Sequence, residues 1–338
     1  MQAFQITQFG LENLKQARLP DPTPGPGQVV VKIRAVSLNY RDLLMVRGHY
    51  NPKLHLPRIP VSDGAGEVVA IGSGVTHFRV GDRVAGLFQQ NWQEGRPSAE
   101  KSRGALADDV EGMLAEFVLL PESGLISIPA HLSYEEAATL PCAALTAWNA
   151  LNHAARLSAG DTVVIQGTGG VSIFALQFAK LMGLRVLGTS SSDAKLARAK
   201  ELGLDEGVNY KQRPNWSEWV KEQTGGHGAD LILEVGGSGT LGESMKSVRI
   251  GGTIVQIGML SGVENVISVI PILMRQMHIV GVFVGSRSMF QAMNRAIALH
   301  QLKPAVDKVF PFGETLAAYR YLENAQHFGK VVISLAGA

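Results

Sequence analysis

One cysteine, Cys142, stands in 338 residues, so no internal disulfide can form and the fold must rest on its own core. No apolar run reaches the roughly 18 residues that a membrane-spanning helix needs, and the start, "MQAFQITQFG", lacks a charged segment followed by an apolar one. Excess charge is missing too. The 31 basic and 29 acidic residues leave +2, and the basic ones are scattered rather than gathered in a tract, which argues against nucleic acid as the main partner. None of the nine histidines forms an H-x-x-x-H pair, and no G-x-S-x-G nucleophile turn occurs. These absences point to a soluble, cytoplasmic protein that is neither a hydrolase nor a membrane protein. They leave Cys142 open as a nucleophile, the remnant of a metal site, or a small core residue.

What is present is a well-cored composition, 46% apolar and 18% charged, in a chain long enough for two domains. The first 120 residues carry short apolar runs, "VVVKIRAVSL", "GAGEVVAIG", "GDRVAGL" and "LAEFVLLP", cut by Gly and Pro. Such runs predict a compact β-rich domain. From about residue 125 the pattern changes. After "DTVVIQ", helical "SIFALQFAKLMG" leads to strand "RVLGTS", then helical "DAKLARAKELG" leads to strand "ADLILEV". The runs "GTIVQIG" and "HIVGVFVGS" follow and read as strands buried on both faces. This alternation predicts a doubly wound α/β domain with a parallel sheet. Beyond Ser288, "KVFPF" and "GKVVISL" are more like the first strands, so the chain is expected to return to the first domain. The polar, Gly-bearing stretch 89–112 is expected to be a mobile surface loop or a lid over a pocket.

"VVIQGTGGVSIFALQFAK" places Gly167, Gly169 and Gly170 between a strand and a helix, with Val171 next to them as a further candidate cofactor-binding residue. Glycines let the backbone approach a pyrophosphate, and the free N–H groups of the helix start favour its negative charge. The third glycine of G-x-G-x-x-G is replaced by Ser172, which is expected to loosen the strand–helix packing slightly. About 20 residues on, an NAD enzyme would carry an acidic residue for the ribose 2′-OH. Here Ser190 and Ser191 stand, with Lys195 just beyond, and such groups suit the 2′-phosphate of NADP. Asp193 is the one feature against it. An ordinary strand-to-helix turn and a solvated helix-face lysine are the plainer alternatives.

The pieces "PGPGQVVVKIRAVSLNYRDLL", "DGAGEVVAIGSGV", "VGDRVAG", "LAEFVLLP", "LPCAALTAW", "GTGGVS" and "GKVVISL", in this order, resemble the medium-chain dehydrogenase/reductase superfamily over essentially the whole chain. The resemblance implies an α/β protein with a GroES-like β-rich catalytic domain formed by residues 1–124 and 288–338. A Rossmann domain at 125–287 and an active site in the cleft complete the expectation. The resemblance also implies that Thr146 lies near the nicotinamide, with Gly258 and Met259 of "IGML" and Phe283 and Val284 of "FVG" close by. Tyr40 would line the cofactor channel, Tyr210 would sit near the 2′-phosphate, and Lys330 would close the site from the last strand. A homodimer formed through the apolar edge "HIVGVFVGS" is a further implication.

Many members of this superfamily hold a catalytic zinc with a cysteine, a histidine and a second cysteine. At the matching positions this chain has Asn39, Ser62 and Cys142. One thiolate, an amide and a hydroxyl do not make the three ligands that such a site needs, so no metal is expected. The zinc-independent quinone oxidoreductases carry instead an asparagine and, eleven residues later, a tyrosine, here Asn39 and Tyr50. The resemblance therefore implies an NADPH-dependent reductase of a quinone or an α,β-unsaturated carbonyl, with Asn39 and Tyr50 donating hydrogen bonds to the oxygen where negative charge builds. An NAD(P)-dependent alcohol dehydrogenase is the first alternative, and an NADPH-binding structural or RNA-binding protein the second. Asn39 as a simple helix cap and Tyr50 as a loop aromatic also stay open.

Overall fold

The computed structural model describes residues 1–264 and 266–336; positions 265, 337 and 338 of the expected domain ranges lie outside it. The chain divides into two compact units, Met1–Leu145 with Val284–Ala338, and Thr146–Phe283.

The first unit opens with an antiparallel pair, β1 (Gln2–Ile6) and β2 (Leu14–Arg18). Then come β3 (Gln28–Leu38), β4 (Asp63–Ile71), β5 (Arg83–Gly86), β6 (Phe117–Pro121) and β7 (Leu125–Ser127). Each of β3 to β6 grows from one of the short apolar runs. β3 is long because "QVVVKIRAVSL" has no breaker and is rich in β-branched residues, which pack well on a pleated surface.

In the second unit, β8 (Thr162–Gln166), β9 (Arg185–Ser190), β10 (Glu206–Asn209), β11 (Ala229–Glu234), β12 (Val248–Gln256) and β13 (His278–Gly281) form one sheet. Every pairing is parallel and the order is β10-β9-β8-β11-β12-β13, the arrangement of a doubly wound dinucleotide fold. Its core gathers Val164, Leu187, Ile232 and Ile254 with Trp216 and Trp219. Burying one such aliphatic side chain is worth about 1.5–3 kcal/mol.

The chain then returns to the first unit with β14 (Val306–Pro311) and β15 (Lys330–Ser334). The sheet there runs β14-β15-β3-β4-β5-β7, with β6 on the first half of β3. β15 pairs antiparallel with the second half of β3, Val331 opposite Leu38.

Two expectations change. "HIVGVFVGS" gives only four strand residues, and they are mostly exposed, because β13 is an edge strand with a single neighbour, β12. The stretch 89–112 is a loop without helix or strand, but not all of it is surface: Gln89, Gln90, Trp92, Leu106 and Ala107 are buried, and Glu94–Glu100 are exposed. Its start is pinned by the Arg287 and Ser288 N–H groups, which donate to the carbonyls of Trp92 and Gln93. Among the described residues no helix is long and apolar enough to cross a membrane.

Candidate functional site

The register of three neighbouring strands builds the first part of the site. β15 lies beside β3 with Lys330 at its start, while β4 on the other side sets Asp63 opposite Ser37. Residues 39, 63 and 330 thus meet at one end of the sheet. Lys330 is 3% exposed, and its ammonium donates to the Leu38 carbonyl at 2.7 Å and to Asn39 Oδ1 at 2.6 Å. Asn39 also caps the helix Tyr40–Val46, since the Asp42 carboxylate accepts its backbone N–H at 2.8 Å. Its Nδ2 is buried and makes no hydrogen bond of good geometry, although the Asp63 carboxylate is near enough to feel the amide.

Asp63 is fully buried and accepts from the Ser62 hydroxyl at 2.8 Å and from the Cys142 backbone N–H at 3.0 Å. Burial raises its pKa, and the Lys330 charge opposes the rise. The reverse holds for Lys330, whose pKa burial lowers and Asp63 supports. Cys142 stands on a single π-helical turn, Leu140–Ala144. Desolvation first, and the Asp63 charge second, push its thiol well above the usual range, so it is no thiolate at neutral pH. The nucleophile reading of Cys142 has no support from this environment. Ser62 serves Asp63, and among the described residues no three His, Cys, Asp or Glu side chains gather as a metal-binding group.

The second part of the site is carried by Arg41. Its guanidinium lies 4.8 Å from the ring centre of Tyr50 and 4.8 Å from that of Phe88, and donates to the Leu106 carbonyl at 3.0 Å. Leu106 belongs to the 89–112 stretch, which therefore helps to seat Tyr50 through Arg41. Burial raises the Tyr50 pKa in spite of the Arg41 charge. Asp42 beside it is pushed up to about 6, burial outweighing Arg41 and the Asn39 N–H. The Cys142 thiol is close enough for Tyr50, Asp63 and Lys330 each to feel it, which brings the Tyr50 side and the Asp63–Lys330 side of the first unit near one another. His49 and His55, the neighbours of Tyr50, are exposed.

In the second unit, Gly167 has φ +69°, a conformation glycine adopts freely, and Gly169 caps the helix Gly170–Leu181. No atom beyond the chain neighbours lies within 4 Å of where a side chain would start at Gly167 or Gly169. A pyrophosphate can therefore approach this backbone, and the residues present fit a dinucleotide. Val171 is half-buried in the first turn of that helix. Ser172 does not loosen the loop as expected: its hydroxyl donates to the Gln166 carbonyl at 2.7 Å and ties the helix to the strand end.

At the end of β9, Ser190 is buried and its hydroxyl accepts the Ser192 N–H, while Ser191 is half-buried. Ser192 caps the helix Asp193–Glu201 through the Lys195 N–H, which places Lys195 in its first turn. Asp193, the residue that argued against NADP, is occupied: Asn209 and Gln212 donate to its two oxygens at 3.0 and 2.9 Å. Tyr210 is 41% exposed next to them. Thr146 is buried at the start of this unit, Gly258 is half-buried after β12, and Met259 and Phe283 are exposed. In the first unit Val284 is buried with φ +55°, and Tyr40 is exposed at the first turn of its helix.

The sequence reading passed over Glu234. This fully buried carboxylate ends β11 and accepts from Gln166 Nε2 at 2.8 Å, from the Gly236 and Gly237 N–H groups at 2.9 Å each, and from the hydroxyls of Ser244 and Thr240. It clamps the strand that feeds the glycine loop to the turn after β11. An acidic residue closing an apolar strand run just before "VGGSGT" was the available signal.

Comparisons with known proteins cover both units. The alcohol dehydrogenase GroES-like domain family matches residues 25–130, and the zinc-binding dehydrogenase family matches residues 170–298. A zinc-type alcohol dehydrogenase-like protein of Schizosaccharomyces pombe is 42% identical over 333 residues, 96% of each chain. A quinone oxidoreductase of Rattus norvegicus is 28% identical over 345 residues, 99% of this chain and 98% of that one. The crystal structure of an NAD-dependent alcohol dehydrogenase superposes with a TM-score of 0.91 at 36% identity, over 99% of this chain and 100% of the other.

Proposed function

This chain belongs to the medium-chain dehydrogenase/reductase superfamily of oxidoreductases, and from that premise we propose that it transfers hydride from NADPH to a quinone or an α,β-unsaturated carbonyl without zinc. One observation carries the reading: at the position matching a zinc ligand, Asn39 presents a buried Nδ2 donor that no protein group takes in good geometry. A buried donor left this way costs about 1–3 kcal/mol, and an oxygen acceptor on a substrate relieves it.

The nicotinamide, when bound, supplies the hydride. The first unit's residues do the rest. As the hydride reaches the electrophilic carbon, charge builds on the conjugated oxygen, and Asn39 Nδ2 and the Tyr50 hydroxyl donate to it. With its pKa raised, Tyr50 is a poor acid, so it serves as a hydrogen-bond donor and the completing proton comes from solvent. Consumption of NADPH and NADH should be measured with quinones, enones and aldehydes. Turnover confined to simple alcohols and aldehydes would replace this reading with an alcohol dehydrogenase, and none with any acceptor would favour a non-catalytic NADPH-binding protein.

The cofactor is NADPH on the strength of Ser190, Ser191 and Lys195, with Asp193 turned to Asn209 and Gln212. A charged hydrogen bond to the 2′-phosphate is worth about 1.5–3 kcal/mol, so Lys195→Ala is expected to raise KM for NADPH at least about tenfold and leave KM for NADH unchanged. Equal effects on both would remove Lys195 from phosphate recognition.

The protein is also proposed to dimerise through the β13 edge. Next to that edge the helix Ile270–Met274 leaves Ile270, Leu273 and Met274 65%, 76% and 71% exposed, with Val266 and Val269 also in solvent. Contiguous apolar exposure of this kind marks an interface. Leu273→Glu is expected to turn a dimer into a monomer by light scattering; an unchanged mass would place the interface elsewhere.

A further inference from the structure

We propose that Lys330 is a positioning residue, which holds the Asn39 amide in the one orientation that presents a donor to the acceptor oxygen. The proposal rests on the reading of Asn39 given above and deepens it.

An asparagine amide has two faces, and rotation by 180° exchanges a donor for an acceptor at nearly the same place. Only the donor face helps a developing oxyanion. With the oxygen turned toward substrate, the same side chain would repel it. Something must therefore choose between the two rotamers, and in this chain Lys330 does so from the oxygen side, with the Asp63 carboxylate favouring the same orientation. Its ammonium carries three donors and no acceptor, and it lies 2.6 Å from Asn39 Oδ1. Turning the amide over would point the NH2 group at a cation and leave a buried ammonium donor without its partner.

Lys330 is itself held in place. It is 3% exposed, a second N–H goes to the Leu38 carbonyl at 2.7 Å, and the Asp63 carboxylate offsets its charge. Asp63 in turn is fixed by Ser62 and the Cys142 N–H, so groups at two positions matching zinc ligands, 62 and 142, act through Asp63 and Lys330 on the third, Asn39. The Lys330 charge also polarises the amide, which makes Nδ2 a stronger donor.

The test is a double-mutant cycle on steady-state NADPH oxidation with an enone that the wild type reduces. Lys330→Met should lower kcat about tenfold or more and leave KM for NADPH unchanged, and adding it to Asn39→Ala should cost nothing further, because the residue through which it acts is gone. Independent, additive losses, or an unchanged kcat in Lys330→Met, would overturn the proposal. Since Lys330→Met strands a buried carboxylate, the same cycle is also run on an Asp63→Asn background, where no such charge remains and the same non-additivity is expected. If Asn39→Ala alone kept full turnover, the reading of Asn39 itself would fall, an outcome distinct from failure of the Lys330 coupling.

Discussion

Asn39→Ala is expected to cut kcat with an enone or quinone by on the order of a hundredfold, the usual loss when one donor to a developing oxyanion is removed. KM for NADPH should stay within about twofold, because the proposed nucleotide site, the glycine loop and the serine turn, belongs to the other unit. Nδ2 is buried and makes no hydrogen bond of good geometry, with the Asp63 carboxylate only close enough to feel it, so an oxygen acceptor on a substrate would complete its hydrogen bonding. A metal-based mechanism at this place would predict little from losing the amide, since position 39 carries no side chain that a zinc ion would choose. Stopped-flow measurement of the hydride step separates the two. A hundredfold slower step supports the donor, and an unchanged one removes it.

The second large effect concerns stability. Glu234→Ala is expected to destabilise the protein by about 3–5 kcal/mol, since each buried donor left without its acceptor costs about 1–3 kcal/mol and several share this one. The substitution leaves the Gly236 and Gly237 N–H groups, Gln166 Nε2 and two hydroxyls without their shared acceptor in a buried position. At about 2.1 cal/mol/K of unfolding entropy per residue, a chain of 338 residues loses roughly 1.4 °C per kcal/mol, so Tm should fall by about 4–7 °C. NADPH affinity should fall with it, because Gln166 is the last residue before Gly167 and positions the glycine loop. A Tm within about 2 °C of wild type would mean that water replaces the carboxylate at little cost.

Local pattern explains which parts of the fold could be read in advance. β3 and β8 are rich in β-branched residues, β4 carries the apolar run VVAI, and the helix Gly170–Leu181 follows a glycine turn, so each announces itself within a dozen residues. The lone cysteine stayed open in the sequence among three readings, and its surroundings speak against the nucleophile, since burial and the Asp63 charge raise the thiol pKa. What escaped the sequence is what depends on register. Lys330 and Asn39 are 291 positions apart, and only the pairing of β15 with β3 puts the ammonium on the amide oxygen. The capping and donor readings of Asn39 likewise looked like alternatives, yet the backbone N–H serves the helix start and the side chain serves Lys330. Ser172 misled in the opposite direction: its size was noted, but its hydroxyl, which closes the loop, was not weighed. β13 was overestimated because an apolar run does not reveal whether one neighbour or two will cover it.

The most direct test of the central claim is the rate of NADPH oxidation with an enone before and after exhaustive treatment with a chelator, with zinc content measured on the same samples. The account predicts undiminished turnover by protein that carries no stoichiometric zinc. Loss of turnover on chelation, restored by adding back one equivalent of zinc, would contradict it.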